Sequence, residues 1–424
     1  MPIPAARQTV SPQKTTPPEG EETMKIRKQN RRSAPARSSR LLGIFGLLAL
    51  SAASCAYAES SVQITGVIDT YAGSLKRSGE AGRTGVVNSS GMTTSWWGFK
   101  GVEDLGGGLK AQFNLTSFFR PDTGSAGRYD ADTLFSRDAN VGLTGAFGRV
   151  SLGRDLAPNF IPSVSLNPFG GSFAFAPLLV QTQASSGYTR GQKWAATEAG
   201  DTGWSNEIMY VTPDLGGLVA SAFYQLGEQV GNAGKNNIGV NAMYSNGPAT
   251  LGAYYQRVKV NNPVDNAAGN SSVFSFTPYN TQTGAVYKLT PAREQGTWFV
   301  GGAYDLRMAK LFATYQHSSN ALPDGFDSAH FKLQSSTMQL GASAPLMQGT
   351  AMLSWARTTI KADGDYRASL GSDGWKSTVR RDTVSLGYDY LLSKRTDLYA
   401  VAMYDKITDQ ASGASFAVGA RHKF

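Results

Sequence analysis

Apolar and polar side chains alternate along most of the chain in short segments, and none of these segments keeps a helical repeat. In 236–244, one set of alternate positions is apolar and ends in tyrosine: Ile238, Val240, Ala242 and Tyr244. A period of two places successive side chains on opposite faces of a β-strand. Each segment therefore predicts a strand with one apolar face.

Sixteen such strands follow one another between residues 61 and 424. They are predicted at 61–75, 93–103, 109–120, 134–144, 149–155, 204–212, 218–226, 236–244, 249–260, 298–305, 309–318, 334–344, 349–359, 379–390, 396–405 and 413–424. The tenth strand has an alternative position, because apolar and polar residues also alternate from Thr283 to Leu289. Seven short turns each follow an even-numbered strand, and longer polar loops follow the odd ones. This order predicts an all-β protein, a transmembrane antiparallel β-barrel of sixteen strands that leaves no edge unpaired.

The last strand has one largely apolar face and one charged face. The first face carries Phe416, Val418, Ala420 and Phe424, and the second carries Gly419, Arg421 and Lys423. Such a strand suits a wall between lipid and water, although a solvated edge strand of a secreted β-sandwich would show the same pattern. A chain that ends on Phe424 resembles the signal by which Gram-negative cells assemble outer-membrane barrels. Phe424 is therefore the predicted assembly signal, and the barrel assembly machinery is an expected partner.

The first 58 residues read as a targeting segment. A basic stretch from Lys25 to Arg40 precedes an apolar stretch at 41–50, and Ala56-Tyr57-Ala58 supplies a small-x-small cleavage site. We expect cleavage between Ala58 and Glu59. Residues 1–23 are an upstream extension or a mis-assigned start, because Met24 would begin a signal peptide of ordinary length. The predicted organisation is thus a signal peptide at 24–58 and a β-barrel at 59–424.

Removal of this segment changes the charge and the cysteine content. The precursor carries a net charge of +9, and nine Lys/Arg and three Asp/Glu leave with residues 1–58, so the mature chain retains +3. The basic character belongs mostly to the signal, which removes the case for nucleic-acid binding. The single cysteine, Cys55, also leaves, which excludes disulfides, thiolate metal sites and a cysteine nucleophile. No metal or other cofactor is expected.

Several motifs, taken in order, resemble those of the general diffusion porins of beta-proteobacteria. They are VQITGVID at 62–69, SWWGFKGVEDLGGGLKA at 95–111, FSRDANVGL at 135–143, LGR at 152–154 and VGARHKF at 418–424. The resemblance covers the mature chain from about Ser61 to Phe424. It implies a homotrimer of sixteen-stranded barrels in the outer membrane, in contact with its lipid and lipopolysaccharide, and a third loop folded into the lumen as a constriction. Trp96 departs from the family, whose members often carry Arg there.

Three basic residues are candidates for the wall of the constriction. Lys100 has the opposite parity to Trp97 and Phe99, so it points into the lumen if those rings face lipid. The resemblance assigns Arg137 and Arg154 to the basic wall. Simple alternation instead places Arg154 on the same face of the strand as Val150 and Leu152, unless a bulge or a strand end intervenes.

The longest stretch without alternation runs from Ala157 to Gly203. Long ordered loops in compact proteins are usually functional. Within it, the sequence NPFGGS at 167–172 resembles the tip of porin constriction loops but carries no acidic residue, which makes Asn167, Phe169 and Ser172 candidate constriction residues. A surface loop in the external medium is the alternative.

The function predicted from the sequence is a water-filled channel for passive diffusion of small hydrophilic solutes and ions, weakly anion-selective. A substrate-specific channel would use the same fold with a narrower lumen. A barrel enzyme is a third reading, for which His317, Ser318, Asp327 and His330 are the candidate groups, but they form no recognisable nucleophile motif. A soluble lectin or adhesin would explain the alternation but not the turn order and the terminal Phe424 together.

Overall fold

The structure of the chain is a computed structural model. It describes residues 61–424 except 131, 185–187, 190–191, 194–195, 229, 233, 235, 261–293, 322–331 and 364–377. The predicted signal peptide, the cleavage site at Ala58 and Glu59, the competing strand at 283–289, and the candidate groups Asp327 and His330 lie outside the described residues.

Sixteen antiparallel strands form the wall. They are β1 Ser61–Leu75, β2 Trp96–Gly106, β3 Leu109–Arg120, β4 Asp138–Gly145, β5 Gly148–Leu156, β6 Gly203–Val211, β7 Leu218–Leu226, β8 Asn236–Asn246, β9 Ala249–Val258, β10 Glu294–Asp305, β11 Lys310–Ala321, β12 Lys332–Leu346, β13 Gly349–Asp363, β14 Thr378–Leu391, β15 Thr396–Ile407 and β16 Gly413–Lys423. Each strand pairs with its neighbour in the chain. β1 also pairs with β16, from Val67 opposite Lys423 to Ser74 opposite Phe416, which closes the sheet. The predicted sixteen-stranded antiparallel barrel is confirmed.

The two faces of the wall have opposite character. On β13 and β14, Leu353 and Leu386 lie opposite each other and are 51% and 58% exposed, whereas the neighbouring pair Ser354 and Ser385 is fully buried. Exposed apolar and buried polar side chains are the reverse of the arrangement in a water-soluble protein. This is the arrangement of a barrel with lipid outside and a polar interior.

Short turns join the strands at one rim, as predicted. In the turn after β2, Gly106, Gly107 and Gly108 all have positive φ, a conformation that glycine adopts at little cost. At the other rim, the first loop adds the strand Thr84–Ser89, which extends the pairing of β1, and the second adds Ser125–Ala126. The third loop contains helices α1 Phe160–Ser165 and α2 Pro177–Thr182 and the strand pair Tyr188–Thr189 and Gln192–Lys193.

Strand bounds differ from the prediction mainly at the loop-side rim. β13 continues to Asp363 instead of ending at 359, and β10 begins at Glu294 instead of 298. Both faces of a strand can be polar beyond the lipid, so alternation there stops marking the strand while the hydrogen-bonded ladder continues. β4 begins at Asp138 instead of 134, and the carbonyl of Ser136, just before the strand, accepts a hydrogen bond from the Arg154 side chain. Among the described residues, no helix has both the length and the apolar character needed to cross a bilayer.

Candidate pore constriction

The third loop packs against the inward-facing side chains of the wall. Gln181 of α2 donates hydrogen bonds to the Ala356 carbonyl at 3.0 Å and to the Thr383 hydroxyl at 2.7 Å, and it accepts one from Thr358 at 2.7 Å. These three wall residues lie on the buried face of β13 and β14. The side chain of a single glutamine thus fixes α2 across two strands of the barrel interior.

The residues predicted at the loop tip hold the loop in place. Asn167 donates to the carbonyls of Ser163 and Gly170 and accepts from the Phe169 amide, which ties the turn together. Ser172 donates to the Gly91 carbonyl in the first loop. The Phe169 ring packs so close to Gly387 that a side chain at Gly387 would come within 2.7 Å of it. The structure therefore brings these three predicted residues together, and all are buried.

The exposed side chains that the structure describes on the third loop carry no charge. Ile161 and Ser165 are exposed, and Val164 and Phe173 are half-buried. Among loop residues with described side chains, the charged ones are Glu198 and Asp201, and both are bound to partners. The described part of the exposed loop face thus provides no fixed charge to a passing ion.

Glu198 attaches the last part of the third loop to β9 and β11 of the wall. Its carboxylate accepts hydrogen bonds from Tyr254 at 2.8 Å, Gln256 at 2.9 Å, Gln183 at 3.2 Å and Gln316 at 3.4 Å. Burial raises the pKa of Glu198 to about 7, although the hydrogen bonds from Tyr254, Gln183 and Gln316 oppose the shift. Protonation of this loop anchor therefore changes near neutral pH.

The raised pKa of Glu198 predicts pH-dependent mobility of the loop. A carboxyl group with a raised pKa contributes stability that is fully present below its ordinary pKa and is lost as the pH rises through about 7. Transient closures in single-channel recordings are expected to be rarer at about pH 5 than at about pH 8. Glu198→Gln, which mimics the protonated form, should bring the ratio of the two closure rates close to one.

The matched control is Glu228→Gln, which makes the same change at an exposed position of another loop. It should keep the pH dependence of the parent channel. A Glu198→Gln channel with the parent's pH dependence would contradict the role of Glu198.

Lys100, Arg137 and Trp96 form a cationic cluster on the inner wall. In the register of β1 and β2, Phe99 lies opposite Ile64, which is 65% exposed, so the next residue, Lys100, points inward. The Lys100 ammonium lies 5.4 Å and the Arg137 guanidinium 4.0 Å from the centre of the Trp96 ring. Arg137 also forms an ion pair with Asp138. The tryptophan face stabilises two neighbouring cations, an arrangement known as a cation–π interaction.

Arg154 is bound by groups at the ends of β4 and β6. It stands opposite Ala139 and shares its parity with the exposed Leu152, but Gly153 before it has φ +128° and the pairing with β6 shifts between Trp204 and Glu207. Its guanidinium is turned into the protein, where it donates to the carbonyls of Ser136 and Gly203 and to the Ser205 hydroxyl. The Arg154 side chain is 8% exposed, so it stabilises the strand ends that it contacts and contributes little charge to the lumen.

Two ion-pair clusters, one half-buried and one fully buried, were not predicted from the sequence. In one, Arg128 of the second loop binds Asp201 at 2.7 Å and Asp132 at 2.8 Å, which joins the second loop to the third. In the other, Arg381 of β14 binds Asp405 of β15 at 2.9 Å. The Arg381–Asp405 pair could have been predicted from the sequence, because both residues occupy inward-facing positions on adjacent strands. The Arg128 cluster could not, because it depends on how the second and third loops fold.

The terminal Phe424 completes the closure of the barrel. Its amide donates to the Gly66 carbonyl and its carbonyl accepts from the Gly66 amide, both at 3.1 Å. Its ring lies over Gly66, where a side chain would come within 2.5 Å of the ring edge. The last residue is therefore hydrogen-bonded to the first strand.

The candidate groups for a barrel enzyme do not converge where they are described. His317 is bonded to Ser336 at 2.9 Å, and the adjacent Ser318 is bonded to Thr297 on the buried face of the sheet. Consecutive strand residues point to opposite faces, so this His and Ser cannot act on one substrate atom.

Comparisons with known proteins agree with this architecture. The family model described as Gram-negative porin matches residues 46–410. Outer membrane porin protein 32 of Delftia acidovorans is 30% identical over 379 residues, covering 87% of this chain and 90% of that protein. An outer membrane porin protein of Bordetella pertussis is 28% identical over 88% of this chain and 96% of its own length. The solved anion-selective porin from Comamonas acidovorans has a TM-score of 0.64 and 25% identity, and the match covers 86% of this chain and all of that one. The chain therefore belongs to the Gram-negative porin family, and it is an outer-membrane porin that forms a channel.

Proposed function

We propose that this porin is a weakly anion-selective, homotrimeric channel for the passive diffusion of small hydrophilic solutes. The observation that carries the selectivity is the pair of inward cations, Lys100 and Arg137, facing a loop whose described exposed side chains carry no charge. Cations lining a narrow lumen raise the local anion concentration. Asp138 offsets one of the two charges, so the preference is weak.

We assign three different roles to the residues predicted at the constriction. Lys100 and Arg137 act on the permeating ion. Asn167, Phe169 and Ser172 set the position of the loop through their buried contacts. Arg154 supports the outer end of β5 through its hydrogen bonds to Ser136 and Gly203. The similarity to a solved porin described as anion-selective supports the sign of the preference.

Reversal potentials in a gradient of potassium chloride across a planar bilayer test the selectivity. We expect a modest chloride preference that weakens as salt rises, because the Debye length falls from about 10 Å at 0.1 M to about 3 Å at 1 M. A potassium preference at low salt would contradict the proposal. Liposome swelling with neutral solutes of graded size separates general diffusion, which depends on size alone, from a substrate-specific channel, which favours one solute class.

We further propose that the mature protein begins at Glu59 and forms a heat-modifiable homotrimer without enzymatic activity. The cleavage motif Ala56-Tyr57-Ala58 supports the first part, with 24–58 as the signal peptide and 1–23 as an upstream extension or a mis-assigned start. A solved neighbour of the same fold, OmpT of Vibrio cholerae, is described in a trimer form, which supports the second. The separation of His317 from Ser318 across the sheet supports the third.

N-terminal sequencing of outer-membrane material, with gels of unheated and heated samples, checks the processing and the assembly. We expect Glu59 as the first residue and a slow-migrating band that collapses to a monomer on heating. An intact signal, or a monomer in the soluble fraction, would show that this assignment is wrong.

A further inference from the structure

Two aromatic rings lie side by side on the inner wall of the barrel. Trp96 is the first residue of β2, and the register places it directly opposite Phe118 of β3. The next residues, Trp97 and Phe119, lie beside Phe424 on the outer face, so Trp96 and Phe118 point into the lumen. Both inner residues are half-buried, which leaves part of each in contact with the lumen. We call Trp96 and Phe118 the inner aromatic pair.

Basic side chains lie on the Trp96 ring of this pair. The Arg137 guanidinium lies 4.0 Å and the Lys100 ammonium 5.4 Å from the ring centre. Asp138 neutralises Arg137 in part. Among the described residues, Lys100 has no ion-pair partner, so its charge is available to an anion. A negative group that binds these cations is therefore held beside an aromatic surface.

The aromatic surface continues toward the loop-side rim. The Arg128 guanidinium lies 5.1 Å from the centre of the Phe118 ring and 5.4 Å from that of Tyr129, which is 42% exposed. Arg128 itself is paired with Asp132 and Asp201, so it contributes little net charge. This part of the wall thus adds ring surface without adding a second site for an anion.

The tip of the third loop reaches the same region. The Ser172 hydroxyl donates a hydrogen bond to the carbonyl of Gly91, which lies shortly before Trp96 in the chain. The residue after Ser172 is Phe173, which is half-buried and uncharged. The described exposed side chains of the loop supply no carboxylate that would compete for the cations. A solute that passes the inner aromatic pair therefore meets cations held on rings, without opposition from the described part of the loop.

This combination distinguishes between anions of the same charge. A small hydrated ion such as chloride interacts with the cations alone. An aromatic carboxylate also places its ring against the exposed part of the aromatic pair, and ring contacts stabilise binding beyond the burial of apolar area. Both kinds of contact are made together only by a solute that carries a negative group and a flat ring.

We propose that Trp96 and Phe118, with Lys100 and Arg137, form a subsite of the channel that prefers aromatic carboxylates to other monoanions of similar size. The carboxylate lies on the two cations, and the ring lies against the inner aromatic pair. Trp96 determines the preference, because its ring contacts both cations. This inference rests on the proposed anion selectivity and narrows it to one class of solute.

Block of the potassium chloride conductance tests the preference, with the purified full-length protein in planar bilayers at neutral pH and constant ionic strength. The two blockers are benzoate and cyclohexanecarboxylate, which have the same charge and similar size, but only benzoate has an aromatic face. We expect benzoate to reach half-block at a concentration roughly threefold to tenfold lower, as ring contacts of this kind provide.

Trp96→Leu keeps an apolar side chain at the subsite and removes the indole ring. It should reduce the ratio of the two half-blocking concentrations at least about twofold, while the chloride preference remains because Lys100 and Arg137 are unchanged. The matched control is Trp97→Leu, which makes the same substitution at the next residue, on the outer face of the same strand. It should keep the parent's ratio.

Equal half-blocking concentrations of the two acids in the parent channel would overturn the inference, as would the absence of block by either acid. A Trp96→Leu channel with the parent's ratio would also overturn it. The comparison of the two acids in the parent needs no variant, so it decides the question even if Trp96→Leu fails to assemble. A chloride preference without a benzoate preference contradicts this inference alone, whereas a potassium preference contradicts the proposed function.

Discussion

Replacing both Lys100 and Arg137 with glutamine is expected to shift the reversal potential toward cation preference and to leave the oligomer intact. A unit charge about 7 Å from an ion in water contributes roughly 0.6 kcal/mol, and screening with a Debye length of about 10 Å at 0.1 M salt roughly halves this energy. Each charge acts with opposite sign on chloride and on potassium, so the loss of two charges changes the chloride-to-potassium permeability ratio by roughly eightfold. Arg137→Gln should have a larger effect than Lys100→Gln, because it also leaves the Asp138 carboxylate unpaired. Planar-bilayer recordings in a salt gradient measure each shift.

Two further variants separate charge from shape at this cluster. Arg137→Gln combined with Asp138→Asn removes an ion pair without changing the net charge, so its reversal potential should stay close to that of the parent. Trp96→Arg adds a third cation beside Lys100 and should strengthen the chloride preference. If the Lys100 and Arg137 double variant has the parent's reversal potential, these two residues do not set the selectivity.

Deletion of Phe424, or its replacement by Asp, is expected to reduce assembled oligomer in the outer membrane far more than it reduces synthesis or export. The deletion removes the two hydrogen bonds that join the chain end to Gly66, and the ring that covers Gly66, from the point where the barrel closes. Unpaired backbone groups at a barrel edge in lipid cost several kcal/mol, so we expect less than about a tenth of the parent level. Unheated gels of outer-membrane fractions at low expression measure this level.

The controls for this experiment keep either the terminal aromatic ring or the position of the strand. Phe424→Tyr retains a terminal ring and should assemble nearly normally. Phe416→Ala removes an exposed aromatic side chain from the same face of the same strand but leaves the chain end unchanged, so it should have a small effect. Parent-like amounts of oligomer after deletion of Phe424 would show that the terminal residue is not the assembly signal.

The constriction illustrates how far parity can be used to predict a site. The inward direction of Lys100 followed from the rings at Trp97 and Phe99, and the register with Ile64 agrees with it. The same rule does not determine the direction of Arg154, because Gly153 and the shifted pairing with β6 interrupt the regular strand. A single irregular residue changes the direction of the next side chain, and the alternation of apolar and polar residues does not show where such a residue lies.

The burial of the loop residues is a second property that the sequence did not predict. Its length and the NPFGGS segment indicated a constriction, but the sequence could not show that Asn167, Phe169 and Ser172 are the buried anchors of the loop. Glu198 gave no signal in the sequence, since its environment comes from Tyr254, Gln256 and Gln316 on strands that follow much later in the chain.

The sequence by itself determined the number of strands, the order of turns and loops, the closure of the sheet and the location in the outer membrane. The number of strands, the order of the turns and the closure follow from a period-two pattern that each strand carries locally, and from the requirement that every backbone group in lipid be paired. The location was predicted from the targeting segment at 24–58, from Phe424 and from the motifs that resemble those of porins. Only the tertiary structure decided that Trp96, Lys100 and Arg137 form one cluster, that Arg154 is an anchor and that Glu198 is buried. Ion pairing and burial depend on which residues, distant in the sequence, come into contact in the folded barrel. A local alternation of apolar and polar residues does not encode these contacts.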